Sequence, residues 1–299
     1  MAEKPARTRP LVYGEVLFDH FPDGSRILGG APFNVAWHLR GFGEQPLFIG
    51  RVGDDEMGHE VRTAMQEWDM DIAGLQTDLA HPTGRVNIEV VDGEPRYTMV
   101  ADQAYDFISA PELPDLAEAA WLYHGSLALR QPTSRESLDT LISRLDIPVI
   151  FDVNLRSPWW RKPRIRQWLS RADWVKLNQE EWSLLTPASQ PIESAAREFI
   201  DSGTLSGLLL THGKDGAEAW TAEDKRYRVR PASAGQVIDT VGAGDAFTAV
   251  FLLGQLRGWG LARILRRAQG FASAIVGVRG ATVSDRVFYR GFLDDWASG

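Results

Sequence analysis

The chain has 299 residues, 44% hydrophobic and 24% charged, with 32 basic side chains against 40 acidic ones and a net charge of −8. That composition belongs to a globular protein with a sizeable core, and it argues against nucleic acid or an anionic membrane as the main partner. With no cysteine in the chain, disulfides, thiolate metal sites and cysteine nucleophiles are excluded.

The charged start, from Met1 to Pro10, has no apolar stretch behind it, so no signal peptide is expected. No apolar run approaches the roughly 18 residues of a membrane span, and a soluble, cytoplasmic protein is expected. Strand-like apolar runs then follow at Leu11–Tyr13, Leu47–Ile49, Trp121–Tyr123, Val149–Val153, Trp174–Leu177 and Leu208–Leu210. Several are apolar almost throughout, as strands covered on both faces must be. Helical patterns lie between them, at about 32–42, 57–68, 134–145, 192–202, 245–257 and 260–278. The alternation predicts βαβ units, an α/β fold and a mainly parallel sheet.

One stretch breaks the rhythm. Val86–Val91 and Arg96–Val100 flank Asp92-Gly93-Glu94-Pro95, which reads as a β-hairpin with a polar turn. It is either a projecting flap or an antiparallel extension of the main sheet. Between Arg156 and Arg171 there are six basic residues and no acid, with tryptophans interleaved. In so acidic a chain this is a solvated helix face rather than a nucleic-acid patch. The six histidines show no zinc-ligand spacing, and the eleven tryptophans suit either a rigid core or a stacking platform.

The most informative segment is Asp239-Thr240-Val241-Gly242-Ala243-Gly244-Asp245-Ala246-Phe247. Two glycines just before a helix let the backbone turn its N–H groups outward, where the helix dipole favours phosphate oxygens. Asp245, in the first turn, would repel that anion unless it has a chemical task. Accepting the proton of an attacking hydroxyl is such a task. The plainer alternative is a glycine-rich turn with an acid stabilising a helix start. Neither a Walker A loop nor a dinucleotide fingerprint fits, since no Gly-Lys-Ser/Thr follows and Asp245 and Phe247 occupy places that need small residues.

A second segment, Gly29-Gly30-Ala31-Pro32-Phe33-Asn34, also leads into a helix, with an amide in its first turn that can both donate to and accept from a ligand hydroxyl. Upstream, Gly14-Glu15-Val16-Leu17-Phe18-Asp19 puts an acid past the end of the first strand, the edge where open α/β sheets bind ligands. Asn34 and Asp19 serve equally well, on sequence, as local turn or cap residues.

Together the two segments resemble the two signatures of the ribokinase family, the phosphofructokinase B carbohydrate kinases. The resemblance runs from Gly14 to about Ala281 and includes, in order, Gly50-Arg51-Val52-Gly53-Asp54-Asp55, Lys176-Leu177-Asn178-Gln179-Glu180-Glu181 and Thr211-His212-Gly213-Lys214-Asp215-Gly216. It implies one doubly wound α/β domain over residues 1–299, with a small β lid from about 16–30 and 84–103. By the same resemblance Asp245 is the catalytic base, and Gly242, Ala243 and Gly244 form the anion hole. Asp19, Gly30 and Asn34 bind sugar. Asn178 and Glu181 serve Mg²⁺ and phosphate placement, while Thr211, Gly213 and Gly216 serve the nucleotide. Asp239 matches a position that in relatives is associated with a monovalent cation, often K⁺. Independently of the resemblance, alternation sends Asn87 and Glu89 to one face of the hairpin and Val86 and Ile88 to the other, and a polar ligand favours Asn87 as the lid's hydroxyl reader.

Phe151-Asp152-Val153-Asn154-Leu155-Arg156, followed by Trp160, resembles fructokinases and 2-keto-3-deoxygluconate kinases. Arg156 suits a phosphate or a sugar acid, or equally a structural ion pair. The implied activity is an ATP-dependent sugar kinase, first of all one making fructose 6-phosphate from fructose. A related sugar or nucleoside kinase and a non-catalytic sugar-binding regulator are the alternatives. The short loop between Asp19 and Gly29 departs from the pattern and predicts a reduced first lid strand. A lid with one apolar face permits a homodimer as well as a monomer.

Overall fold

The computed structural model describes residues 8–91, 94–114, 116–187, 190–201, 205–231 and 237–298. Residues 1–7 of the charged start, Asp92 and Gly93 of the expected turn, and Ser202 at the end of an expected helix lie outside the described residues. In chain order the first half holds β1 (Arg9–Tyr13), β2 (Leu17–His20), β3 (Arg26–Gly29), α1 (Ala31–Gly41), β4 (Leu47–Gly53), α2 (Glu56–Glu67), β5 (Leu75–Asp78), β6 (Gly84–Val91), β7 (Glu94–Met99) and β8 (Ala119–His124). Then come α3 (Pro132–Arg144), β9 (Val149–Asp152), α4 (Lys162–Leu169), β10 (Trp174–Asn178), α5 (Gln179–Leu185), α6 (Ile192–Asp201), β11 (Gly207–Thr211), β12 (Ala217–Thr221) and β13 (Arg226–Val229). The C-terminal helices are α7 (Ala243–Leu256), α8 (Leu261–Ile275) and α9 (Arg286–Ser298).

The main sheet has the order β13-β12-β11-β10-β9-β8-β1-β4-β5. It is parallel from β5 to β11, and β12 and β13 add an antiparallel edge. Each apolar run lies in a strand of this sheet, except that Val153 falls just past the end of β9. Alternate residues divide between two cores, as the two-residue period of a strand requires. Val12, Phe48, Tyr123, Ile150 and Leu209 pack with α1, α7 and α8, whereas Leu11, Ile49, Leu122, Phe151 and Leu210 pack with α3 to α6. Helices on both faces make the sheet doubly wound. Helix α7 is buried from Ala246 to Gly254, which explains its nearly all-round apolar sequence.

The chain leaves β1 toward β4 and β5, then returns to β8 on the other side of β1. The direction of winding therefore reverses between β1 and β8, and a crevice opens there at the carboxyl ends of the strands.

The hairpin is no extension of the main sheet. Strand β6 pairs with β2 and β7, and the order β3-β2-β6-β7 forms a separate four-stranded sheet. The short loop after Asp19 does not remove the first of its strands: β2 and β3 have four residues each. The basic stretch contains α4, which buries Ile165 and Trp168 and turns its charges outward. Tryptophans contribute to the cores, as where Trp37 stacks on Trp68 with ring centres 5.1 Å apart.

Candidate active site

The carboxyl edge of the sheet gathers most of the residues singled out by sequence. Asp19 follows β1 on β2, Gly30 and Asn34 open α1, and Arg156 follows β9. Asn178 and Thr211 end β10 and β11, and Gly242 to Asp245 open α7. Gly242 adopts φ +78°, and a Cβ there would stand 2.5 Å from Ala281, so only glycine fits. It begins α7 with no side-chain cap, which leaves the first-turn N–H groups as an anion cradle on the positive end of a 14-residue helix.

Asp245 is the third residue of that helix. Its Oδ2 accepts a 2.8 Å hydrogen bond from Asn34 Nδ2, joining two segments 211 positions apart. Burial pushes its carboxyl up to about 6, against the opposing pull of Asn34, and the Asp152 charge raises it further. A carboxyl poised there is ionised at neutral pH yet basic enough to take a proton. The glycine-rich turn and the Asp245 carboxyl thus occupy one helix turn.

Asp152 and Lys176 form a buried ion pair that the motif reading did not assign. Lys176 Nζ lies 2.7 Å from Asp152 Oδ2, and Thr248 Oγ1 of α7 lies 3.2 Å from the same oxygen. The pair therefore ties β9 and β10 to the helix carrying Asp245. Its signal was an acid and a lysine set inside otherwise apolar strands, where unpaired charges are very costly.

Asn178 and Glu181 form a reciprocal cap on α5. Asn178 Oδ1 accepts from the Glu181 N–H, and Glu181 Oε2 accepts from the Asn178 N–H, each at 2.9 Å. Glu181 Oε1 accepts a further bond from the Leu155 N–H at 2.7 Å, and burial pushes this carboxyl up. Asp239 is similarly engaged, accepting from the N–H groups of Val241 and Gly280. It closes the loop before α7 onto the segment after α8. Among the described residues no group of three or more His, Cys, Asp or Glu could hold a metal ion, so Asp239 and Glu181 belong to no preformed protein cage. Thr211, Gly213 and Gly216 lie at the end of β11 and in the turn after it.

Asp19 faces this edge, with its carboxyl pushed up to about 6 by burial, drawn back by Arg156 and raised by Asp239. Arg156 acts on Glu15, Asp19 and Asp245 together. Asn87 is not brought to the site. Strand register places Asp19 beside Val86 and His20 beside Asn87, so Asn87 lies on the opposite face from Asp19. Val86 and Ile88 are buried while Asn87 is exposed. Val86, Ile88, Tyr97 and Met99 share the face of Asp19, and among them Tyr97 carries a polar group, reached by the charges of Asp19, Asp239 and Arg156. Sequence alternation divided the hairpin into two faces correctly but could not say which one turned inward.

Fold and site together define an α/β phosphotransferase. Residues 9–286 match the model of the pfkB family carbohydrate kinases, and the chain belongs to that family. It is 35% identical over 259 residues to a fructokinase of Klebsiella pneumoniae, covering 81% of this chain and 83% of that protein. It is 33% identical over 296 residues to a fructokinase of Escherichia coli, covering 90% and 94%. The crystal structure of fructokinase from Vibrio cholerae O395 in its fructose-, ADP- and calcium-bound form is similar with a TM-score of 0.83 at 26% identity, over 96% of this chain and 99% of that one.

Proposed function

We propose that this carbohydrate kinase is a cytoplasmic fructokinase that moves the γ-phosphoryl group of ATP to a hydroxyl of fructose, giving fructose 6-phosphate. The observation that carries the reading is Asp245, an ionisable acid held by Asn34 inside the uncapped start of α7. In the proposed reaction the sugar O–H proton passes to Asp245, the new O–Pγ bond forms, and the bond from Pγ to the β-phosphate oxygen breaks to release ADP. The first-turn N–H groups of α7 hold the charge that develops on the transferred group. Asp19, Gly30 and Asn34 receive the sugar, and Thr211, Gly213 and Gly216 line the nucleotide side. Gly30, at φ +108°, brings α1 so close to the first strand's end that a Cβ would stand 2.7 Å from the Glu15 carbonyl.

Mg²⁺ bound to ATP would supply neutralisation of the phosphate charge, and Asn178 and Glu181 are the residues that would place it. With their side chains already engaged in the α5 cap, Asn178 and Glu181 would act on it through water, and Asp239 would be the residue beside a monovalent cation such as K⁺. The four-stranded sheet of about 16–30 and 84–103 serves as the lid of a single domain, excluding water from the activated phosphate.

Coupled ADP release over a panel of about a dozen sugars tests this. Fructose as the best substrate is the expected result, and a preference for a sugar acid or a nucleoside would replace the assignment. Sugar binding without ADP release would instead identify a non-catalytic regulator.

A further inference from the structure

Glu15 is a buried acid to which the proposed reaction gives no task. It follows β1 on the way into β2 and is 2% exposed. Its Oε2 is enclosed with no hydrogen-bond partner, although the carboxylate accepts from its own N–H and from that of Ala128. The α1 start lies directly against it, since Gly30 closes on its carbonyl oxygen. Four residues further on, Asn34 carries a second enclosed, unpartnered acceptor, Oδ1, while its Nδ2 holds Asp245. A buried acceptor without a donor is costly, more so when it is charged. Two of them stand beside one carboxyl, where the O–H groups of a bound ligand can serve them.

The surrounding charges narrow the class of donor. Burial pushes the Glu15 carboxyl up to about 7, Arg156 draws it back and Asp245 raises it. On its other side are Tyr105 and Arg130, which feel its charge and are engaged with each other, the guanidinium lying 5.1 Å from the centre of the Tyr105 ring. Arg130 is committed to Asp106, at 2.6 and 2.7 Å. Arg156 is the cation shared among Glu15, Asp19 and Asp245, while Lys176, which also draws on Asp245, is committed to Asp152. A neutral polyol brings O–H donors to the two free acceptors, whereas a sugar carboxylate brings another acceptor and a like charge.

We infer that Glu15 is a specificity-determining residue, accepting a hydrogen bond from one hydroxyl of a neutral sugar and disfavouring sugar acids by its charge. This rests on the sugar-kinase reading above. The test compares wild type with Glu15→Gln in ADP release, using fructose, its monodeoxy analogues and a keto-sugar acid of the same chain length. The variant should lose about 10- to 100-fold in kcat/KM for fructose, the scale of one hydrogen bond to a charged group. One monodeoxy analogue should serve both proteins equally well, and the ratio of fructose to sugar acid should fall at least about tenfold. An active wild type whose variant keeps the same ratios across the panel overturns the role of Glu15 and leaves the kinase reading standing. A wild type that phosphorylates no sugar defeats the kinase reading itself. Should the Gln variant fail to fold, judged by its melting temperature, Glu15→Asp replaces it. That variant keeps the charge but withdraws it by one methylene, so its loss should also disappear with one analogue; a uniform loss across all sugars refutes the inference.

Discussion

Replacing Asp245 with Asn separates catalysis from stability. The amide keeps the shape of the carboxylate, and its Oδ1 can still accept from Asn34 Nδ2, so the start of α7 should survive. The proton acceptor is gone, and kcat should fall at least about 100-fold, the lower end of general-base contributions. Stability should move the other way. Raising the carboxyl from 3.8 to about 6 means that holding it ionised costs the folded protein up to about 3 kcal/mol. The folded state keeps this proton between about pH 4 and 6, where the unfolded chain releases it, so wild-type stability declines across that window as pH rises. An Asn cannot titrate. The variant should therefore match wild type near pH 4 and exceed it by up to about 3 kcal/mol above pH 6, measured by urea unfolding at a series of pH values. Glu15 and Asp19 are also raised by burial, so the difference between the two proteins, rather than either profile alone, isolates Asp245. Turnover close to wild type would refute the base assignment, and a stability difference that ignores pH would refute the burial argument.

Gly242→Ala should cost at least about 1–2 kcal/mol, because φ +78° is left-handed backbone and the new methyl meets Ala281; it should also weaken nucleotide use, and an unchanged KM for ATP would count against the cradle. Lys176→Met strands the Asp152 carboxylate, with an expected loss of about 3–5 kcal/mol in denaturant unfolding. Adding Asp152→Asn to it should recover part of that loss, and a single variant within about 1 kcal/mol of wild type would contradict the buried pair. Hydrogen exchange tests the lid: amides of β6 and β7 should gain protection with fructose and a non-hydrolysable ATP analogue. Protection already equal to that of Val149–Asp152 without ligands would make the four-stranded sheet a rigid part of the fold.

Local sequence determined the six central strands and six of the helices because their signals are local, whereas β5, β12, β13, α5 and α9 were not among the expected elements. A run such as Leu208 to Leu210 has no polar side for water, and α7 is apolar nearly all round, so each could only be covered on all sides. The glycines before Asp245 were equally legible, since a left-handed turn leading into a helix leaves few residue choices. What needed the folded chain was every relation between distant segments. Asn34 could be a cap by sequence; packing of α1 against α7 made it the donor to Asp245. Asp152 and Lys176 read as oddities inside apolar strands until β9 and β10 paired side by side. Asn87 and Tyr97 show the same limit from the other side. Alternation separates the faces of a strand from sequence alone, but which face turns inward depends on the register with β2 and on what the sheet packs against. That is decided by tertiary contacts, because a strand's period is local and its surroundings are not.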